Sequence, residues 1–189
     1  MEADKIIEYI KQSARELFRR YGYKKTSVNE IAKKAKMAKA TIYKYFESKE
    51  MILHAILMDY IRRSVADLIQ NSGNTKSKEV YLSNLIFKVS RLTYTICNEF
   101  IGWDFIRESS NAQEYLKMLS DDLENLLIRS FKENNTFNIP AKNLRFLIKA
   151  SKNMVFSFAF TSVSDADVRK NFISFQKEIL PFLIKAAVS

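Results

Sequence analysis

Cysteine and histidine are almost absent: Cys97 and His54 are the only ones in 189 residues. A lone thiol closes no disulfide within the chain. One Cys and one His are also too few for a structural zinc site or for the nucleophile and base sets of hydrolases. Glycine occurs three times and proline twice, which leaves little material for the turns of an all-β or α/β chain and no glycine-rich loop to cradle a phosphate. Long apolar runs are missing too. The longest uncharged stretch, residues 153–164, has 12 residues, against the ~20 that a membrane-spanning helix needs. The opening Met1, Glu2, Ala3 and Asp4 have none of the basic-then-apolar character of a signal peptide. These shortages predict a cytoplasmic, helical protein that is not an enzyme and carries no metal or cofactor.

What is present is a globular balance, 47% hydrophobic residues against 28% charged, well away from the disordered class. The net charge of +10 favours a polyanionic partner. Residues 1–60 hold 13 basic against 8 acidic side chains, the other 129 hold 18 against 13, so the first third is about twice as basic per residue. The bias is strongest where Lys24, Lys25, Lys33, Lys34, Lys36, Lys39, Lys44 and Lys49 face only Glu30 and Glu47.

Apolar residues recur every three or four positions at Ile6, Ile7, Ile10, Ala14, Leu17, Phe18 and Tyr21, which predicts a helix over 5–21. Gly22 stops it as a left-handed cap. Ser27 and Glu30 have capping-box spacing, so a second helix starts at Val28, buries Ile31, Ala32 and Ala35 and ends around 36–38. A third short helix over 39–46 turns Ile42 and Phe46 inward. Ser48 caps a long fourth helix that runs to Gln70, where a polar cluster over 71–75 breaks it. Further helices are expected over 78–101, over 112–133 behind a box-like Ser110 and Gln113, over 140–160, and over 165–187 behind Ser164 and Asp167. Pro181 should kink the last one near Lys177 by removing a backbone bond. The fold class is all-α, about nine helices: a three-helix DNA-binding domain over 1–47, homeodomain-like, and a C-terminal bundle over 48–189.

Three short helices with a basic bias centred on the third describe a helix-turn-helix. The run Thr26-Ser27-Val28-Asn29-Glu30-Ile31-Ala32, followed by Ala40-Thr41-Ile42-Tyr43-Lys44-Tyr45-Phe46-Glu47-Ser48-Lys49-Glu50, resembles the TetR family of bacterial repressors. The two segments stand in that family's order and spacing. The resemblance implies a homodimeric transcriptional regulator, released from a pseudo-palindromic operator by a small-molecule effector.

A recognition helix enters the major groove with its N-terminal residues at the base edges. By position Lys39, Ala40, Thr41 and Tyr43 face bases: Lys39 toward guanine O6 or N7, Ala40 or the Thr41 methyl toward a thymine methyl. The resemblance places Thr26, Ser27, Tyr45 and Lys49 on phosphates, a task that hydroxyls, an ammonium and a helix N-terminus suit. Lys33, Lys34 and Lys44 read as a solvated face. The turn departs from the family's Gly-hydrophobic-Ser-x-Gly pattern, since this chain has Lys36-Met37-Ala38-Lys39-Ala40. Lys36 is expected at positive φ, and Ala38 forgoes a hydroxyl cap.

In the helix over 78–101 one stripe is purely apolar: Leu82, Leu85, Ile86, Val89, Leu92, Ile96 and Phe100. A second, Phe87, Arg91, Tyr94, Asn98 and Ile101, mixes aromatic and polar groups, as the wall of a ligand chamber requires. Covered on two sides, this helix belongs at the centre of its bundle. The resemblance adds Trp103, Arg107, Tyr115, Met118, Met154 and Phe158 to that chamber. It also implies dimerisation through the last two helices, where Phe146, Phe156, Phe158, Phe160, Phe172, Phe175 and Phe182 crowd more than one face. His54 is assigned to packing or to an interdomain contact, and Asp121, Asp122 and Glu124 to a solvated face. The competing reading is a helical small-molecule or lipid-binding protein with a degenerate helix-turn-helix, supported by the altered turn over 36–40.

Overall fold

A computed structural model describes residues 2–72, 77–103, 110–133 and 137–188. Among these residues every regular element is helical. Helix α1 (Glu2–Tyr21) precedes two seven-residue helices, α2 (Val28–Lys34) and α3 (Lys39–Tyr45). The long α4 (Lys49–Ser72) follows, then α5 (Lys78–Thr95), which ends in a π turn over Ile96–Ile101. After α6 (Ser110–Glu133) and α7 (Ala141–Thr161), helix α8 (Asp165–Ser174) passes through a second π turn, Phe175–Ile179, into α9 (Leu180–Val188).

Helix α1 lies on α4 and carries α2, which in turn carries α3. The apolar stripe of α1 supplies this head with a small core: Ile10, Ala14 and Phe18 meet Ile31, Ala32, Ile42 and Phe46. Tyr21, expected to face inward, is instead half exposed, with the Arg20 guanidinium 5.2 Å from its ring centre. It is the last residue of the helix, and Tyr23, beyond the cap, fills the inward place at 3% exposure. Ile52, Ile56, Ile61 and Val65 of α4 are buried, and α4 packs on α1, α5 and α6, so one rod belongs to both halves of the molecule.

Helix α5 is central, packing against α4, α7 and α9, but only its apolar stripe is covered as expected: Phe87, Arg91 and Asn98 of the mixed stripe are exposed. Leu82, Leu85, Ile86 and Val89 are wholly buried, each worth about 1.5–3 kcal/mol of transfer free energy. Ser90 and Thr93, buried on the same helix, donate back to the carbonyls of Ile86 and Val89 at 2.7 and 3.0 Å. Ahead of Pro181 the N–H of Leu180 donates to Phe175 O, five residues back, so the helix accommodates the proline by widening over one π turn around Lys177.

Of the acidic group on α6, Glu124 departs from the solvated face expected of it. Glu124 is buried and accepts from Lys152 Nζ at 3.0 Å and from Arg145 at 3.2 Å, both on α7. Lys152, 2% exposed, also donates to Ser120 O at 3.1 Å. Asp122 lies 3.3 Å from His54 Nε2, which gives His54 its contact between α4 and α6. Only Asp121 stands exposed.

Candidate nucleic-acid interface

The end of α1 sets up everything that follows. Gly22 has φ +82° and its N–H donates to Phe18 O at 2.8 Å, the left-handed stop that glycine adopts without a Cβ clash. The chain then turns back through Tyr23, whose ring meets Phe18 edge-on at 5.3 Å. The Thr26 hydroxyl, buried, donates to Gly22 O at 2.9 Å. Ser27 caps α2 with both bonds of the box in place. Its Oγ accepts from Glu30 N–H at 3.3 Å, and Glu30 Oε2 accepts from the Ser27 N–H at 2.7 Å and hydroxyl at 2.8 Å. Those bonds, the backbone one first, hold the Glu30 carboxyl below its ordinary pKa.

Helix α2 stops at Lys34, earlier than its apolar pattern suggested, because the turn closes in a Schellman arrangement. Lys36 N–H donates to Lys33 O at 3.2 Å and Met37 N–H to Ala32 O at 3.0 Å, the 5→2 and 6→1 bonds of that motif. The left-handed position belongs to Lys36, at φ +52°, as its place in the turn predicted. Both bonds form without glycine, so the altered turn still delivers the chain into α3. Ala38 precedes α3 with no side-chain cap.

On α3, Ile42 is buried while Lys39, Ala40, Tyr43 and Lys44 are exposed and Thr41 and Tyr45 half-buried. The Lys39 ammonium lies 5.7 Å from the Tyr43 ring centre, one turn on, and that of Lys44 5.8 Å from Tyr45. The outward face of α3 therefore presents a cation, a small apolar group and a phenol within its first turn and a half.

Two groups expected on phosphates have bonds inside the protein. The Thr26 hydroxyl is engaged as described. Lys49, in the first turn of α4, donates to Tyr23 O at 2.9 Å and to Thr26 O at 2.8 Å, with its ammonium 4.1 Å from the centre of the Tyr23 ring. Burial lowers its pKa, opposed by Glu50 and Glu30. The Tyr23 hydroxyl donates to Glu50 Oε1 at 2.5 Å. Burial and this carboxylate push the phenol far above its ordinary range. Lys49, Tyr23 and Glu50 thus clamp the turn before α2 onto the start of α4, where Ser48 Oγ accepts from Met51 N–H at 3.3 Å. The sequence reading missed Tyr23 and Glu50; an aromatic placed directly after the helix-stopping Gly22 was the available signal.

Lys11, also missed, is a buried lysine on α1. It is bound to Asp59 of α4 and lies 2.6 Å from Glu8. Burial opposes its charge, but the two carboxylates outweigh that and raise its pKa.

The residues proposed for a ligand chamber fall into separate groups. Phe87, Arg91 and Asn98 lie on an exposed face of α5, while Ile101 is buried. The Tyr94 ring lies tilted against Trp103 at 5.7 Å and Phe172 at 4.9 Å, and Trp103 Nε1 donates to Asn98 Oδ1 at 3.1 Å. Tyr115 sits elsewhere, edge-on to His54 at 6.1 Å. Met118 is exposed on α6, Met154 half-buried on α7, and Phe158 packs on Phe175 at 6.4 Å. Arg107 lies outside the described residues, as do the side chains of Ser110, Gln113 and Phe160.

Comparison with known proteins bears on this geometry. The family model described as bacterial regulatory proteins, tetR family, matches residues 10–56. The uncharacterized HTH-type transcriptional regulator YuxN of Bacillus subtilis is 39% identical over 67 residues, which are 35% of this chain and 22% of that protein's length. Among solved structures, the transcriptional regulator FadR from Bacillus subtilis, in complex with stearoyl-CoA, superposes with a TM-score of 0.55 at 18% identity, covering 94% of this chain and 97% of that one. RolR in complex with resorcinol gives 0.55 at 16%, covering 98% and 94%. The TetR family repressor AlkX from Dietzia sp. gives 0.58 at 14%, covering 96% of each. At these identities the likeness is one of fold.

Proposed function

We propose that the chain, whose residues 10–56 match the family model of bacterial regulatory proteins, tetR family, is a sequence-specific DNA-binding transcriptional regulator acting as a homodimeric repressor. The observation that carries this reading is the exposed face of α3, Lys39, Ala40 and Tyr43, held outward by a capped and clamped turn. Lys39, Ala40, Thr41 and Tyr43 read base edges; Ser27, Tyr45 and the N-terminus of α2 hold phosphates. Thr26 and Lys49 serve the interface by fixing the turn that presents those groups. The reading head is residues 1–47, joined through α4 to an effector-binding and dimerising part, 48–189.

Dimerisation through α7 to α9 is supported by apolar side chains left outside this chain's own core: Phe146, Ile173 and Phe182, the last 75% exposed. A two-fold dimer sets its recognition helices about 34 Å apart, or a multiple, and selects a pseudo-palindrome. A small molecule binding the bundle more tightly when the heads are misplaced for DNA releases the operator. Tyr94, Trp103 and Asn98 are the part of the expected chamber that lies together, with Phe172 of α8 against Tyr94. No helix among the described residues is long and apolar enough to cross a membrane, in keeping with a cytoplasmic regulator.

Mobility-shift titrations on DNA flanking the protein's own gene test this. Salt-sensitive, sequence-selective binding is expected, and Tyr43→Ala or Lys39→Ala should each cost about 1–3 kcal/mol at the operator. Binding no tighter to that DNA than to random duplex would overturn the reading.

A further inference from the structure

The C-terminal part of α1 faces the π turn at the end of α5 across a cleft of about 830 Å³. This is where the head and the central helix of the bundle meet. The π turn makes the meeting possible: Gly102, at φ +89°, donates its N–H to Cys97 O at 2.8 Å, and the widened turn brings Glu99 and Phe100 to the cleft. Such turns recur at functional sites.

The walls are of two kinds. Arg15, Arg19 and Arg20 line one side, and Leu17 and Phe100 supply an apolar surface. Lys34 also reaches the cleft but is neutralised by Glu16 at 2.6 Å. Glu16 also lies within electrostatic reach of Arg19, so the cleft sets three guanidiniums and the Lys34 ammonium against two carboxylates, Glu16 and Glu99. A shallower groove beyond Phe100 shares Arg15 and adds Arg63, Asp67 and Tyr60, the Tyr60 ring leaning on Phe100 at 5.3 Å. Arginine presents a planar fork of donors that matches a carboxylate or phosphate with two parallel bonds. Packed phenyl and leucyl surface beside it suits an apolar body.

We propose that this cleft binds an amphipathic organic anion, its carboxylate or phosphate head on Arg15 and Arg19 and its apolar body against Leu17 and Phe100. Because α1 moves with α2 and α3 while the π turn belongs to α5, a ligand held by both senses the angle between head and bundle. Its effect on DNA rests on the regulatory reading above; its binding does not.

Calorimetry on the full chain without DNA, using octyl phosphate, octanoate and octan-1-ol as probes, tests the site. One anion per chain is expected, with the neutral alcohol at least tenfold weaker, and the tighter of the two anions assigns the head group. Arg15→Gln with Arg19→Gln should erase the preference for anion over alcohol, while Phe100→Ala weakens all three probes that bind. Unchanged helical circular dichroism would show that both variants fold. Equal binding of anion and alcohol, undiminished anion binding in the double variant, or no binding of any probe would each overturn the proposal. Mobility shifts with and without the bound anion then report separately on the regulatory reading.

Discussion

The head and the bundle are held together by different physics. Helices α2 and α3 have seven residues each, whereas α4 to α7 have between 18 and 24. A helix leaves four N–H and four C=O groups without partners in its own ladder, so a seven-residue helix is nearly all ends. The head meets that demand with directional bonds: the Ser27 box, the Schellman closure at Lys36, and the Lys49 ammonium on two turn carbonyls. The long helices of the bundle are stabilised by apolar burial instead, with Leu82, Leu85, Leu147, Ile148 and Val155 wholly enclosed. Among the described residues their interior charge is concentrated at Lys152 and Glu124. Small changes of bonding geometry therefore matter in the head, and changes of volume or buried charge matter in the bundle.

The largest effect is expected where the bundle breaks its own rule. Glu124→Ala leaves the Lys152 ammonium buried without its carboxylate and should cost about 3–5 kcal/mol in urea unfolding, while Glu124→Met with Lys152→Met should recover most of it. A single variant no worse than the double would make the pair a surface feature. Next, Lys49→Met strips two turn carbonyls of their donor and should cost about 1–3 kcal/mol. Operator binding should weaken without a change in the slope of log affinity against log salt. A slope smaller by about one would instead place Lys49 on a phosphate.

Lys36→Gly works in the other direction. It relieves a side-chain-bearing residue at φ +52° and should raise stability by up to about 1 kcal/mol. A loss of stability would mean that the lysine side chain makes contacts outweighing the strain.

The smallest effect concerns pH. Burial, the largest influence on His54, lowers its pKa below the ordinary 6.5, against the pull of Asp122 and with the help of Arg62. Between 6.5 and that lower value the unfolded chain binds the proton and the folded chain does not, so stability falls as pH drops through the window. His54 is the sole histidine. His54→Gln should flatten the slope of urea midpoint against pH just below 6.5, and an unchanged slope would assign it to another group.

The legible features share one property: they are short in sequence. Gly22, the box from Ser27 to Glu30 and Ser48 at the head of α4 concern residues within five positions of one another, as do neighbouring members of the apolar stripe of α5. The positive φ of Lys36 was instead implied by the resemblance, because a lysine gives no such signal by itself. Residue type and spacing are enough where the partner is the chain's own next turn. Features that join distant segments were not legible. Nothing in the order of residues says that Lys49 turns back to carbonyls 23 and 26 positions earlier, or that Glu124 meets Lys152 and not water. The mixed stripe of α5 shows the same gap, since periodicity gave its face but not what that face meets.

The order of the amino acids thus settled the helical class, the helix-turn-helix and the glycine stop after α1, because backbone hydrogen bonding and helical period act over a few residues. Packing settled the work of individual side chains. An ammonium bonds whichever oxygens the folded chain brings within 3 Å, so Lys49 became a clamp, and Arg15 and Arg19 came to face a π turn some 80 residues away.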